Sequence, residues 1–148
     1  MPRRSPPSPL DQMIASTIAT MTMTMTTKTF DQIINDRGSK YAVSGCPITT
    51  KADAQAAVKL LKKDKRFARA SHNTWGAFLT QGGPIKNDDG EAGAGMVIIR
   101  MLEREGLKDH MIIVTRWFGG TQLGGDRFRR VQDSVRYYLD HANLEEAK

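Results

Sequence analysis

The stretch from Met111 to Phe128 constrains this chain more than any other. Met111-Ile112-Ile113-Val114 is continuously apolar and largely β-branched, which predicts a strand buried on both faces. Arg116, Trp117 and Phe118 follow where that strand should emerge. Two glycine pairs come next, Gly119-Gly120 and Gly124-Gly125, and Asp126 opens a new periodic segment as its expected N-cap. Strand, glycine loop and capped helix together form a geometry in which backbone N–H groups and a helix N-terminus can face an anion. Asp126, however, puts a negative charge where a phosphate would sit. The stretch therefore marks a binding surface without naming its ligand.

Composition narrows the setting. The 148 residues leave room for one domain and an appendage, and 39% hydrophobic with 26% charged residues is ordinary for a soluble chain. Cys46 is the only cysteine, which excludes an intramolecular disulfide and points to a reducing compartment, here the cytoplasm. No apolar run approaches the ~18 residues of a membrane span. The net charge of +6 permits contact with nucleic acid, ribosomes or acidic proteins but identifies none of them.

Residues 1–28 differ in composition from the rest. Early prolines block helix and sheet, and threonines alternate with Met21, Met23 and Met25. A disordered or wrongly started tail is expected there, in preference to a transit peptide, with the domain itself at 29–148.

Within the domain, Phe30, Ile33 and Ile34 have helical spacing and predict a short lead-in helix. Tyr41, Val43 and Gly45 alternate with polar neighbours, which predicts a half-exposed strand that Pro47 marks as an edge or ends. Thr50 and Asp53 form a capping box before a helix whose apolar side is Ala54, Ala57, Val58 and Leu61. Ala70 to Thr80 reads as a second strand, and a further strand is expected to hide near residues 80–88. Ala94 to Glu105 is apolar around most of a helix, with Gly106 ending it. The final helix repeats Phe128, Val131, Val135 and Tyr138 along one side. Strands alternating with helices predict an α/β (α+β) two-layer sandwich, a small sheet with helices on one face.

Three groups of residues invite a chemical reading. Asp88, Asp89 and Glu91 lie beside Gly90, Gly93 and Gly95, and adjacent carboxylates can bind a hard cation or share a proton. The spacing is not that of a calcium loop, so acidic caps on the following helix are the preferred reading, with no metal and no cofactor expected. A metal-dependent enzyme built from His72, Asp88, Asp89, Glu91 and Arg116 is the third-ranked alternative, and His72 lacks a Cys or Ser partner. Lys62, Lys63, Arg66, Arg69, Arg129 and Arg130 form the candidate basic surface, by default a solvated face. Whether the acidic and glycine loops meet is left to the distance between Asp89 and Arg116.

Taken together, three motifs resemble the Impact N-terminal domain family, which includes the eukaryotic IMPACT proteins and bacterial YigZ. They are Ala70-Ser71-His72-Asn73, the run Asp88-Asp89-Gly90-Glu91 with Ala94-Gly95, and Arg116-Trp117-Phe118-Gly119-Gly120 with Leu123-Gly124 and Asp126-Arg127-Phe128. The D-R-F element places the chain nearer the eukaryotic branch, with Phe118 for Tyr and Gly125 for Pro. The resemblance implies a fold similar to domain 2 of ribosomal protein S5 and no enzymatic activity. It also implies a role in translational stress control, by competing with the amino-acid-starvation kinase for its ribosome-associated activator. Monomeric actin is a further partner it implies, and RNA or the ribosome remains the alternative; oligomeric state is left open. The chain departs from the IMPACT pattern at Met96 and Val97, and its tail is too short and polar for the RWD domain those proteins carry.

Overall fold

The computed structural model describes residues 27–144. The tail expected at 1–28 therefore falls almost wholly outside the described residues, and Lys28 already belongs to the first strand. The elements run β1 (Lys28–Asp36), β2 (Ser39–Pro47), α1 (Lys51–Leu61), α2 (Lys65–Ala68), β3 (His72–Leu79), β4 (Gly83–Asn87), α3 (Ala94–Glu105), β5 (His110–Trp117) and α4 (Asp126–His141). The strands form one sheet in the order β1-β2-β5-β3-β4, with every neighbouring pair antiparallel.

The apolar run of the sequence becomes β5, the middle strand, and its alternation divides the core. Ile112 and Val114 join Tyr41, Val43, Ile98, Leu102, Val131, Val135 and Tyr138 on the face covered by α3 and α4. Met111 and Ile113 point the other way, to Cys46, Trp75, Ala77 and Leu79, where α1 lays Ala54 over the sheet. Met111, Ile112 and Ile113 are each 0% exposed, so each contributes about 1.5–3 kcal/mol of apolar burial. The expected mixed α/β sandwich is present, with its two long helices on one face and the shorter α1 supporting the second cluster.

Local signals account for the helix ends. Thr50 Oγ1 accepts from Asp53 N at 3.1 Å, and Asp53 Oδ2 accepts from Thr50 N at 3.2 Å, completing the capping box that starts α1. Gly106 ends α3 in the left-handed region (φ 65°), and Leu107 N donates to Leu102 O at 3.0 Å. The strand hidden near residues 80–88 is β4.

Two expectations are corrected. Phe30, Ile33 and Ile34 belong to a strand, not to a lead-in helix. The register against β2 shifts between Phe30 and Ile34, with Gln32 at φ 49°. Four steps along β1 there face two along β2, and this irregularity lets apolar side chains three and four apart, Phe30, Ile33 and Ile34, reach the same core. The second correction concerns β2, which is neither half-exposed nor an edge. It pairs with β1 on one side and β5 on the other, and residues 41–46 are all buried. Pro47 ends it, as its missing N–H requires.

Candidate functional site

Beyond Thr115 the central strand anchors both faces of the sheet with successive side chains. Arg116 points to the α3–α4 side, where its Nη1 donates to Glu91 Oε1 at 2.7 Å. Its Nε and Nη2 donate to Ser39 Oγ at 3.4 and 3.3 Å. Arg116 is 6% exposed, Glu91 3% and Ser39 0%, so this is a buried ion pair closed by a buried hydroxyl. Trp117 points the opposite way, its ring edge-to-face with Phe67 at 5.1 Å and its Nε1 donating to Arg66 O at 2.9 Å. One dipeptide thus ties the acidic loop to one face and α2 to the other.

The acidic loop is folded inward. Asp88 Oδ2 accepts from Gly93 N at 3.1 Å and Oδ1 from Gly95 N at 2.8 Å, so this carboxylate caps the start of α3. Partial burial opposes its charge, but the Gly93 and Gly95 N–H groups and the Lys86 ammonium outweigh that and hold its pKa below the usual range. Asp89 Oδ2 accepts from Asn73 N at 2.7 Å, and Asn73 in turn donates through Nδ2 to Phe67 O. His72 bridges the loop: Nδ1 is 2.9 Å from Asp89 O and Nε2 is 2.9 Å from Glu91 Oε2. Both ring nitrogens face acceptor oxygens. Glu91 lies between the Arg116 guanidinium and the His72 ring.

The two loops do meet, but through Glu91 and not through Asp89, whose carboxylate is taken by the backbone of β3. His72, Asn73, Asp88, Asp89, Gly90, Glu91, Gly95, Arg116 and Gly119 come together here. Gly119 N donates to the same Ser39 Oγ at 3.3 Å. Phe128 joins from α4, its ring packed where a Cβ on Gly93 would lie 3.3 Å away. Arg127 lies over that ring, 4.7 Å from its centre. Gly120 and Gly124 occupy the exposed turn between β5 and α4.

Asp126 does not cap α4. Gly125 holds the N-cap position and no side chain caps it, while Asp126 is the first helical residue. Its carboxylate accepts from Arg37 Nη2 at 2.7 Å and so fastens α4 to the β1–β2 turn. Asp126 thus puts a carboxylate, paired with Arg37, at the helix start where strand, glycine loop and helix had suggested an anion. Ser39 and Arg37 were not legible as site residues, because their partners are 77 to 89 positions away.

The candidate basic residues separate into two groups. Lys62, Lys63, Arg66 and Arg69 lie in and beside α1 and α2, on the face of the second cluster. Arg129 and Arg130 lie on α4, across the sheet. Arg130 is near Asp36 (3.8 Å) and Asp133 (3.5 Å), and Arg129 is 4.0 Å from Asp126. Arg66 pairs with Asp31 and stacks 4.6 Å above Trp117.

Chemically, the cluster holds residue types that could support acid–base work, yet Asp88, Asp89, Glu91 and Arg116 are each held by an ion pair or a hydrogen bond within the domain. Among the described residues no group of three or more His, Cys, Asp or Glu side chains is arranged to hold a metal ion. No described helix is long and apolar enough to cross a membrane.

Fold and site together define a small α/β domain whose motif residues lock its own loops and whose basic residues beside α1 and α2 remain exposed. The chain belongs to the Impact N-terminal domain family, whose profile matches residues 37–139. It is 32% identical over 119 residues to the "Protein IMPACT homolog" of Caenorhabditis elegans, covering 76% of this chain and 46% of that one. It is 31% identical over 117 residues to the Saccharomyces cerevisiae homolog, covering 76% and 45%. The chain therefore spans less than half the length of these curated relatives. The crystal structure of a hypothetical protein superposes with a TM-score of 0.66 at 19% identity over 79% of this chain and 62% of that one, a likeness of fold.

Proposed function

We propose that this chain is a non-enzymatic regulatory binding domain that acts in cytoplasmic translational control, as its relation to IMPACT proteins suggests. Its partner in this reading is the ribosome-associated activator of the amino-acid-starvation kinase, for which it competes with the kinase. The observation that carries the reading is the pairing of buried Glu91 with Arg116 and His72, which commits these motif residues to closing the domain. Recognition then falls to the exposed surface, as in a binding module. Immobilised full-length chain should capture the activator from cytosolic extract and lose it to added kinase. Failure to capture it, with the chain folded, overturns the proposal. Purified monomeric actin, the other protein partner that the family resemblance implies, is tested by the same capture.

The nucleic-acid reading has one observation in its favour, the concentration of charge between Lys51 and Arg69. It requires RNA or ribosome binding that weakens steeply with salt.

A further inference from the structure

Seven basic residues and two acidic ones lie between Lys51 and Arg69, which accounts for five of the six net positive charges of the chain. The arginines of α4 are largely neutralised by Asp36, Glu105, Asp126, Asp133 and Asp140. Lys59, Lys62, Lys63, Lys65 and Arg69 are all exposed, and none pairs with a carboxylate among the described residues. Lys59 lies in the last turn of α1, and Lys62 and Lys63 follow in the turn beyond it, so like charges crowd the end of the helix. Cations near a helix C-terminus gain from its dipole, which explains Lys62 and Lys63 but not the continuation through Lys65 to Arg69.

Apolar surface is set among these charges. Leu60 is 47% exposed, although it belongs to a helix that has a core face to fill. It borders a groove of about 390 Å³ floored by Leu61 and Phe67 and walled by Thr29 of β1. The groove's two acids are engaged, Asp31 with the Arg66 guanidinium and Asp64 with the Arg66 N–H. Phe118, 46% exposed, lies outside this surface: its ring is 5.6 Å from the Arg116 guanidinium, and its N–H is held by Ser71 Oγ at 2.8 Å.

We infer that the α1–α2 surface docks an acidic protein segment, its carboxylates on Lys59, Lys62, Lys63, Lys65 and Arg69 and an apolar side chain in the groove beside Leu60. Charge complementarity selects an acidic partner, and the groove selects a peptide over a nucleic acid. A single strand of RNA needs successive aromatic faces, and here Trp117 is covered by Arg66 and Phe67, leaving Phe118 alone. A duplex presents only phosphates and gains nothing from an exposed leucine. The inference rests on the reading of the chain as a partner-binding domain and names the surface that would do the binding.

The full chain should bind a fluorescein-labelled peptide of Glu and Asp interspersed with Leu and Phe, read by anisotropy. K59E/K63E should weaken binding about tenfold or more, with the urea midpoint unchanged because both lysines are exposed. Replacing the peptide's Leu and Phe by Ser should weaken it by a similar factor. Three outcomes overturn the inference: no binding, equal binding by K59E/K63E, or tighter binding to an RNA oligonucleotide of equal charge. Peptide-induced or spontaneous self-association through L60S-sensitive contacts assigns the groove to a second copy and also overturns it. Capture of the kinase activator by both K59E/K63E and the parent sinks this surface while leaving the proposed function standing. Peptide binding without capture does the reverse.

Discussion

Arg116 and Glu91 are 25 residues apart in sequence, yet their Nη1 and Oε1 atoms lie 2.7 Å apart with both side chains buried. The pair joins the end of the central strand to the loop that starts α3. Buried charges are costly to desolvate, and this pair recovers that cost only with help from Ser39 and His72. The most recognisable segments of the sequence therefore meet as a lock.

Breaking that lock from one side should be worse than removing it. Glu91→Leu or Arg116→Met alone leaves an uncompensated buried charge and should cost about 3–5 kcal/mol. The double substitution should cost clearly less than the sum of the two. Urea unfolding of all four forms measures the coupling, and simple additivity would refute the pairing as the source of the cost.

The two glycines after Phe118 should fail for different reasons. A Cβ on Gly119 would lie 2.0 Å from the Gly38 carbonyl carbon, backbone against backbone. Gly119→Ala should therefore cost about 3 kcal/mol or more and separate the β1–β2 turn from β5. Gly120 has open space around it but φ +92°, so Gly120→Ala should cost only the left-handed penalty, about 1–2 kcal/mol. Equal midpoints for the two variants would contradict this account.

His110 should set the pH dependence on the mildly acidic side. Burial, with help from Lys28, pushes its pKa from 6.5 down to about 4. Its Nε2 meets the Tyr138 hydroxyl at 2.6 Å, while Nδ1 has no partner among the described residues. Below the unfolded value near ~6.5 the unfolded chain takes up a proton that the native ring refuses, so stability falls as pH falls towards the native value. The parent should lose about 2 kcal/mol between pH 7.5 and 5, and His110→Gln should lose much less. Denaturant titrations at the two pH values decide it.

Asp88 should act at lower pH and with the usual carboxylate sign. Its native pKa is depressed, so its contribution is present above the unfolded value near ~3.9 and fades as pH falls through the native one. Asp88→Ala should cost about 1–2 kcal/mol at neutral pH, as for other lost caps. The parent and the variant should converge in stability in strong acid. A difference that persists unchanged at pH 2 would assign the effect to packing and not to the charge.

The chain by itself determined the elements whose signals are local. Thr50 with Asp53 announced α1, Gly106 ended α3, and the apolar run at Met111 gave the two-faced strand, because caps and periodicity act within one or two turns. The same locality misled at β1, where a bulge at Gln32 gives strand residues a helical spacing, and at β2, where alternation cannot reveal that β1 covers its outer edge. The motifs also named the family, but they did not say what their residues touch. Only the tertiary structure decided that Arg116 takes Glu91 while Asp89 is held by Asn73, that Ser39 completes the pair, and that Asp126 answers Arg37. These partners lie 16 to 89 positions apart, and which carboxylate reaches which cation depends on the strand order β2-β5-β3 that brings them together. Side-chain pairing at that range follows from the sheet's register and from burial, which no local pattern encodes.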